Sequence, residues 1–122
     1  MNQRINTFAA TAAAFIGLTA FGATAHAADI DNGKSLVASH NCAACHGANL
    51  NTPVSPAYPK LAGQFDDYIF FALRSYQVGG GNPLFGRNNA IMQAQVQGLS
   101  ESDLHDIAAY IQSLPGDLVQ KK

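Results

Sequence analysis

Cys42-Ala43-Ala44-Cys45-His46 is the stretch that decides how this chain is read. Two thiols three positions apart, with a histidine directly after the second, match the signature for covalent haem attachment. The logic is local. Two thioether bonds, one to each vinyl-derived carbon of the porphyrin, need sulfurs a short fixed distance apart on one turn of chain. The adjacent imidazole then lies within reach of the iron, and its neutral nitrogen is a good iron ligand. The competing chemistries fit less well. A disulfide between such close cysteines closes a tiny loop with little entropic gain. A thioredoxin-like redox pair wants a βαβ setting. A zinc site needs two further ligands, and only His40 and His105 remain outside the first 27 residues.

Working outward, both flanks carry helical patterns. Ile30, Gly33, Leu36 and Val37 recur at helical spacing, and Asp29 ahead of them suits the positive end of a helix. Asn51 to Pro59 holds three prolines and a Ser-Pro, which predicts an irregular loop. A second helix is predicted from Phe65 to Tyr76, with Phe65, Tyr68, Ile69, Ala72, Leu73 and Tyr76 on one stripe and Asp66 and Asp67 in the first turn. Val78-Gly79-Gly80-Gly81-Asn82-Pro83 breaks the chain, and the stretch to Asn89 shows no periodicity. Ile91 to Gln97 reads as a short helix.

The last helix has the clearest signals. Ser100 and Asp103 form a capping box with Asp where Glu or Gln is usual. Leu104, Ile107, Ala108, Ile111 and Leu114 make its apolar stripe, and Pro115-Gly116 ends it. No alternating β-branched run and no internal repeat occurs. The expected fold is all-α, about four helices wrapped around one covalently bound haem. Tyr110 and Phe71 are expected in the core, and His40 and His105 on the surface.

The beginning of the chain carries a different signal. Arg4 is the sole charge in the first 28 positions; an apolar stretch from Phe8 to Gly22 follows, then Ala25-His26-Ala27. A basic start, an apolar middle and a small-x-small exit predict a secretory signal over residues 1–27, cleaved after Ala27. The stretch is shorter than the roughly 20 residues of a spanning helix, so no membrane span is expected in the mature protein. The domain is then 28–122, placed in the periplasm, where cysteines escape the reducing cytosol. A chain of this size buries only about 60–65% of its unfolded surface, and small exported domains commonly need a cofactor or cross-link as well.

Charge narrows the partners. The full chain has 7 Lys and Arg against 8 Asp and Glu, a net of -1, with no basic surplus to neutralise phosphates. Nucleic acid is therefore not an expected partner.

A haem iron has a second axial face. Met92 is the one methionine outside the leader, in a polar segment just ahead of the last helix. A lone methionine is ordinarily core filler. This one follows a Gly/Asn-rich stretch suited to wrapping a cofactor. A thioether is a soft neutral ligand that favours reduced iron.

Taken together these residues resemble a class I cytochrome c of the small soluble bacterial kind. The resemblance rests on Cys42-Ala43-Ala44-Cys45-His46-Gly47, Pro59-Lys60-Leu61-Ala62-Gly63-Gln64, Met92 to Ser100, and Asp103 to Ile111, in that order. It implies that Cys42 and Cys45 carry the haem, that His46 is the proximal iron ligand and that Met92 is the distal one. It also implies that Gly33 in the first helix meets Tyr110 in the last. Pro59 resembles the family's proline whose carbonyl receives the proximal imidazole N–H, with Pro53 and Pro56 as fallbacks. Arg87, Arg74, Tyr58 and Gln64 are candidate donors to the haem propionates. The segment between the second helix and Met92, with Gly79-Gly80-Gly81 and Arg87-Asn88-Asn89, is looser than the family's usual compact form.

The function this implies is one-electron transfer, by a monomer that meets redox donor and acceptor proteins transiently. With His46 and Met92 both bound, the iron has no open position for substrate. Two alternatives follow from the same residues: a haem c subunit of a larger dehydrogenase or oxidase complex, and an open-site haem enzyme if Met92 does not ligate.

Overall fold

Asp29 opens the first helix by accepting the Asn32 N–H on its side chain at 3.0 Å. In the computed structural model, which describes residues 27–117, that helix is α1, Ile30–Ser39. The predicted leader, apart from Ala27, lies outside the described residues. α2 is the single turn Ala43–His46. α3 runs Asp66–Val78, two residues beyond the predicted end at Tyr76, and passes into a 3-10 turn at Gly79–Gly81. α4 is Ala90–Val96 and α5 is Glu101–Ser113. The described residues contain helices and no strand, so the fold is all-α. Among them, no helix is long and apolar enough to cross a membrane.

α5 is the spine. Both halves of its capping box form: Ser100 accepts from the Asp103 N–H, and the Asp103 carboxylate accepts from the Ser100 N–H and hydroxyl. Leu104, Ile107, Ala108 and Ile111 of the predicted stripe are buried, and α1 and α3 pack against them. Burying each large aliphatic side chain of that set contributes about 1.5–3 kcal/mol. Leu114 is half-buried where the stripe meets the chain's exit.

α1 crosses α5 at Gly33. A methyl group built there would sit 2.0 Å from the Asp106 carbonyl oxygen, so the close approach is to the α5 backbone at Asp106. The resemblance pointed to Tyr110 as the partner of Gly33; the tightest contact falls one helical turn earlier. Tyr110 packs, half-buried, against the edge of the core. The carboxylate of Asp106 is buried and completes the crossing. It accepts the Asp29 N–H at 2.7 Å and the Asn32 amide at 2.8 Å.

Phe71 was expected in the core, and the structure corrects this. Phe71 is 53% exposed, and its neighbour Phe70 takes the buried place. One residue is a rotation of about 100° on a helix, enough to turn a side chain from core to solvent. Phe70 stacks on His105 with ring centroids 3.9 Å apart and 9° between planes. His105 thus stays exposed, as expected, while its ring roofs the core.

The segment Asn82–Asn89 is stitched down despite its lack of periodicity. The Asn82 side chain accepts from the Leu84 and Phe85 N–H groups, Gly86 N–H donates to the Asn82 carbonyl, and Arg87 N–H donates to the Ser75 carbonyl at 2.9 Å. Gly86 lies so close to Gly79 that an added methyl would be 1.7 Å from the Gly79 oxygen. The loop is tight because Gly86 has no side chain to hold it off the Gly79 and Asn82 carbonyls.

Candidate functional site

His46 ends the one-turn α2, and the local backbone leaves it little freedom. Gly47 follows with φ 86°, and a methyl there would meet the Thr52 carbonyl at 1.9 Å. The chain then returns under α2, where Val54 N–H donates to the Cys45 carbonyl, and continues to Pro59. The Pro59 carbonyl lies 2.9 Å from His46 Nδ1. A carbonyl only accepts, so the proton is on Nδ1 and the Nε2 lone pair is left as the ring's ligand. The fallback prolines are not needed. His46 is 7% exposed, and Tyr58 stands edge-on to its ring at 6.3 Å.

That imidazole faces a cavity of about 450 Å³, within the range of about 300–1,000 Å³ usual for small-molecule and cofactor sites. Cys42, Cys45, His46, Pro59, Arg87 and Met92 all stand on its wall. The residues singled out by motif, by proline pattern and by lone methionine therefore converge on one space. They come from the α2 turn, the loop after it, the Asn82–Asn89 segment and α4. The rest of the wall is largely apolar and includes Ile69, Ala72 and Leu73 of α3 together with Val96 and Leu99.

Cys42 and Cys45 are both free thiols. Burial pushes the Cys42 thiol up from its ordinary value, and the neighbouring Cys45 adds to the rise. A redox-active dithiol needs the opposite, a stabilised thiolate in electropositive surroundings. Nor is a zinc site supported: among the described residues no three His, Cys, Asp or Glu side chains group so as to hold a metal ion, and His105 lies against Phe70.

Arg87 and Lys60 are the charged side chains on the wall, and Lys60 is paired with Asp117. The Arg87 guanidinium lies 5.7 Å from the Tyr68 ring centroid and 5.5 Å from that of Tyr76. Hydrogen bonding to Tyr68 chiefly, and to Tyr76, holds its pKa above the ordinary arginine value against the opposing effect of burial. Among the described residues the ion pair found is Lys60–Asp117, so no carboxylate there neutralises Arg87. An unneutralised guanidinium at a cavity edge suits an anionic carboxylate. Tyr58 and Gln64 also line the space. Arg74 does not: its Nη1 donates to Gln77 Oε1 at 2.9 Å along α3, so it leaves the set of candidate propionate donors.

The residues present fit a c-type haem: two unbridged thiols on one turn, an oriented imidazole, a thioether on a separate helix, an apolar wall and a cation at the rim. Sequence reasoning missed part of that wall. Tyr68, Ile69, Ala72, Leu73 and Tyr76 of the predicted α3 stripe line the cavity, which the stripe did not announce. His40, expected as surface, also reaches it and is half-buried. The helical stripe was the available signal; a face covering a cofactor and a face covering protein look alike in sequence.

Comparisons with known proteins place the chain in a family. The family profile described as cytochrome c matches residues 30–115. Cytochrome c4 of Stutzerimonas stutzeri is 37% identical over 106 residues, which is 84% of this chain and 48% of that protein. Cytochrome c-554(548) of Halomonas halodenitrificans is 40% identical over 72 residues, 59% of this chain and 82% of that one. The crystal structure of reduced recombinant cytochrome c4 from Pseudomonas stutzeri superposes with a TM-score of 0.65 at 38% identity, covering 75% of this chain and 48% of that one. This chain thus spans about half the length of the cytochrome c4 relatives it matches.

Proposed function

The chain belongs to the cytochrome c family, and on that footing we propose that it is an exported one-electron carrier holding one haem c. Cys42 and Cys45 make the two thioether bonds, His46 is the proximal ligand and Met92 the distal one. When bound, the haem supplies a ferric–ferrous couple. The residues around it do the rest. Pro59 fixes the plane and tautomer of His46, which keeps Nε2 directed at the metal and raises its basicity. Arg87, steadied by Tyr68 and Tyr76, receives a propionate. The apolar residues of α3 and α4 exclude water, which tunes the potential and keeps the ligand set unchanged between oxidation states. With two protein ligands on the iron, the chain exchanges electrons with redox donor and acceptor proteins and binds no substrate at the metal.

The observation that carries this reading is the convergence of both thiols, His46 and Met92 on one cavity. Met92→Ala tests it. The ferric wild type should show the weak near-infrared band of thioether ligation; the variant should lack it and bind added imidazole far more tightly. A variant identical to wild type in both respects would point to the open-site enzyme reading instead. Export is tested by intact mass: the periplasmic protein should begin at Ala28 and carry the mass of one haem.

A second reading, a haem subunit of a larger redox complex, draws on Leu84 at 97% exposure with Phe85 and Ile91 also exposed on the segment beside the cavity. Purification as a stable assembly with a dehydrogenase or oxidase would favour it.

A further inference from the structure

Gln77 and His40 have no role in the reading above, yet both fasten the helix that carries Met92. α4 is seven residues long, well below the length at which an isolated helix persists in water. Asn89 caps its start, accepting the Met92 N–H itself at 3.0 Å. Its far end leaves the last carbonyls without intrahelical partners, and in the turn that follows the Val96 carbonyl accepts the Leu99 N–H at 3.2 Å. Two side chains from elsewhere in the fold reach this end of α4 and the turn after it. Gln77, in the last turn of α3, donates its Nε2 to the Val96 carbonyl and to the Leu99 carbonyl, each at 2.8 Å. Its Oε1 accepts from Arg74, so the amide is oriented at both ends. His40, which caps α1 two positions before Cys42, places Nδ1 3.1 Å from the Gln95 carbonyl. The carbonyl only accepts, so His40 is the donor.

We propose that Gln77 and His40 are positioning residues that clamp the C-terminal end of α4 and so hold the Met92 sulfur at the cavity. This rests on the reading of Met92 as distal ligand. Met92 lies about one turn before the Gln95 and Val96 carbonyls, and α4 packs chiefly on α3. Releasing the clamp frees α4 to swing, and with it the thioether. His40 also joins the clamp to the haem-attachment turn, so the two ligand-bearing segments are tied to each other through protein as well as through the cofactor.

Imidazole binding to the ferric, haem-loaded protein reads the clamp directly. Its apparent affinity follows the fraction of molecules in which Met92 has let go. Gln77→Glu keeps the size of the side chain but offers two carbonyls a carboxylate that cannot donate. His40→Phe removes the other donor, and His40→Gln restores one. Gln77→Glu should bind imidazole about tenfold more tightly than wild type, the value of losing two hydrogen bonds of modest net worth. His40→Phe should shift the same way, His40→Gln should return to within about twofold of wild type, and the near-infrared band should weaken in step. A merely structural role would lower the unfolding midpoint without changing imidazole affinity below it.

Met92→Ala separates the two claims. If it matches wild type in band and affinity, Met92 is not the ligand and the clamp falls with it. If it differs while Gln77→Glu and His40→Phe bind imidazole as wild type does, the clamp alone is overturned. Should Gln77→Glu not fold, the His40→Phe and His40→Gln pair decides the matter.

Discussion

Gly33 and Asp106 show how much rests on single residues at the α1–α5 crossing. Gly33→Ala puts a methyl 2.0 Å from a backbone carbonyl, which neither helix can move without opening the core. The variant should lose at least about 1–3 kcal/mol of stability, read as a lowered denaturant midpoint. Asp106→Ala leaves the Asp29 N–H and the Asn32 amide without their acceptor in the same place. A buried charged acceptor of this kind is worth about 1.5–3 kcal/mol, so a comparable fall in midpoint is expected. The glycine was visible in the sequence as a member of the α1 stripe. Asp106 was not, because a carboxylate beside an apolar stripe reads as solvent-facing until its partners, more than seventy residues away in sequence, are in place.

Among the elements, α5 was the most legible; the span of α4 was legible too, Ile91 to Gln97 expected against Ala90–Val96 observed, but its anchorage was not. The capping box of α5 is local chemistry, complete within four residues, and it forms as read. Ser100→Ala should cost about 1 kcal/mol in thermal or chemical denaturation. The box also carries a pH signature. The Ser100 N–H, and then its hydroxyl, hold the Asp103 carboxyl below the usual carboxylate range. Its contribution is therefore present above the ordinary aspartate value of about 3.9 and fades as pH falls through the lower folded value. Asp103→Asn should flatten that acid limb of the stability curve relative to wild type, measured by denaturant melts from neutral pH downward. α4, in contrast, owes its position to Gln77 and His40, two polar residues whose sequence surroundings announce no contact with it.

For the molecule as a whole, the cavity sets the terms. It lies between the α2 turn and the helices that close it, and its wall includes members of every longer helix except α1. With its largely apolar wall left uncovered, a domain this small forgoes much of the burial on which its stability rests. Protein expressed without haem attachment should therefore lack cooperative unfolding and most of its helical circular dichroism at neutral pH, whereas the loaded protein should melt as one unit. A haem-free form with native ellipticity and a sharp transition would contradict this. What the amino-acid sequence determined by itself was whatever is written within one turn or one motif: the Cys42–His46 motif, the helical periods of α1, α3 and α5, the caps at Asp29 and Ser100, the loop prolines. These depend on neighbours a few residues apart, so the order of residues suffices. Tertiary structure alone decided which side of α3 meets the cavity, that Phe70 and not Phe71 enters the core, that Asp106 is buried, that Arg87 and not Arg74 reaches the rim, and what holds α4 over the site. Each of those depends on groups brought together only when helices cross, and an apolar stripe states that a face will be covered without stating by what.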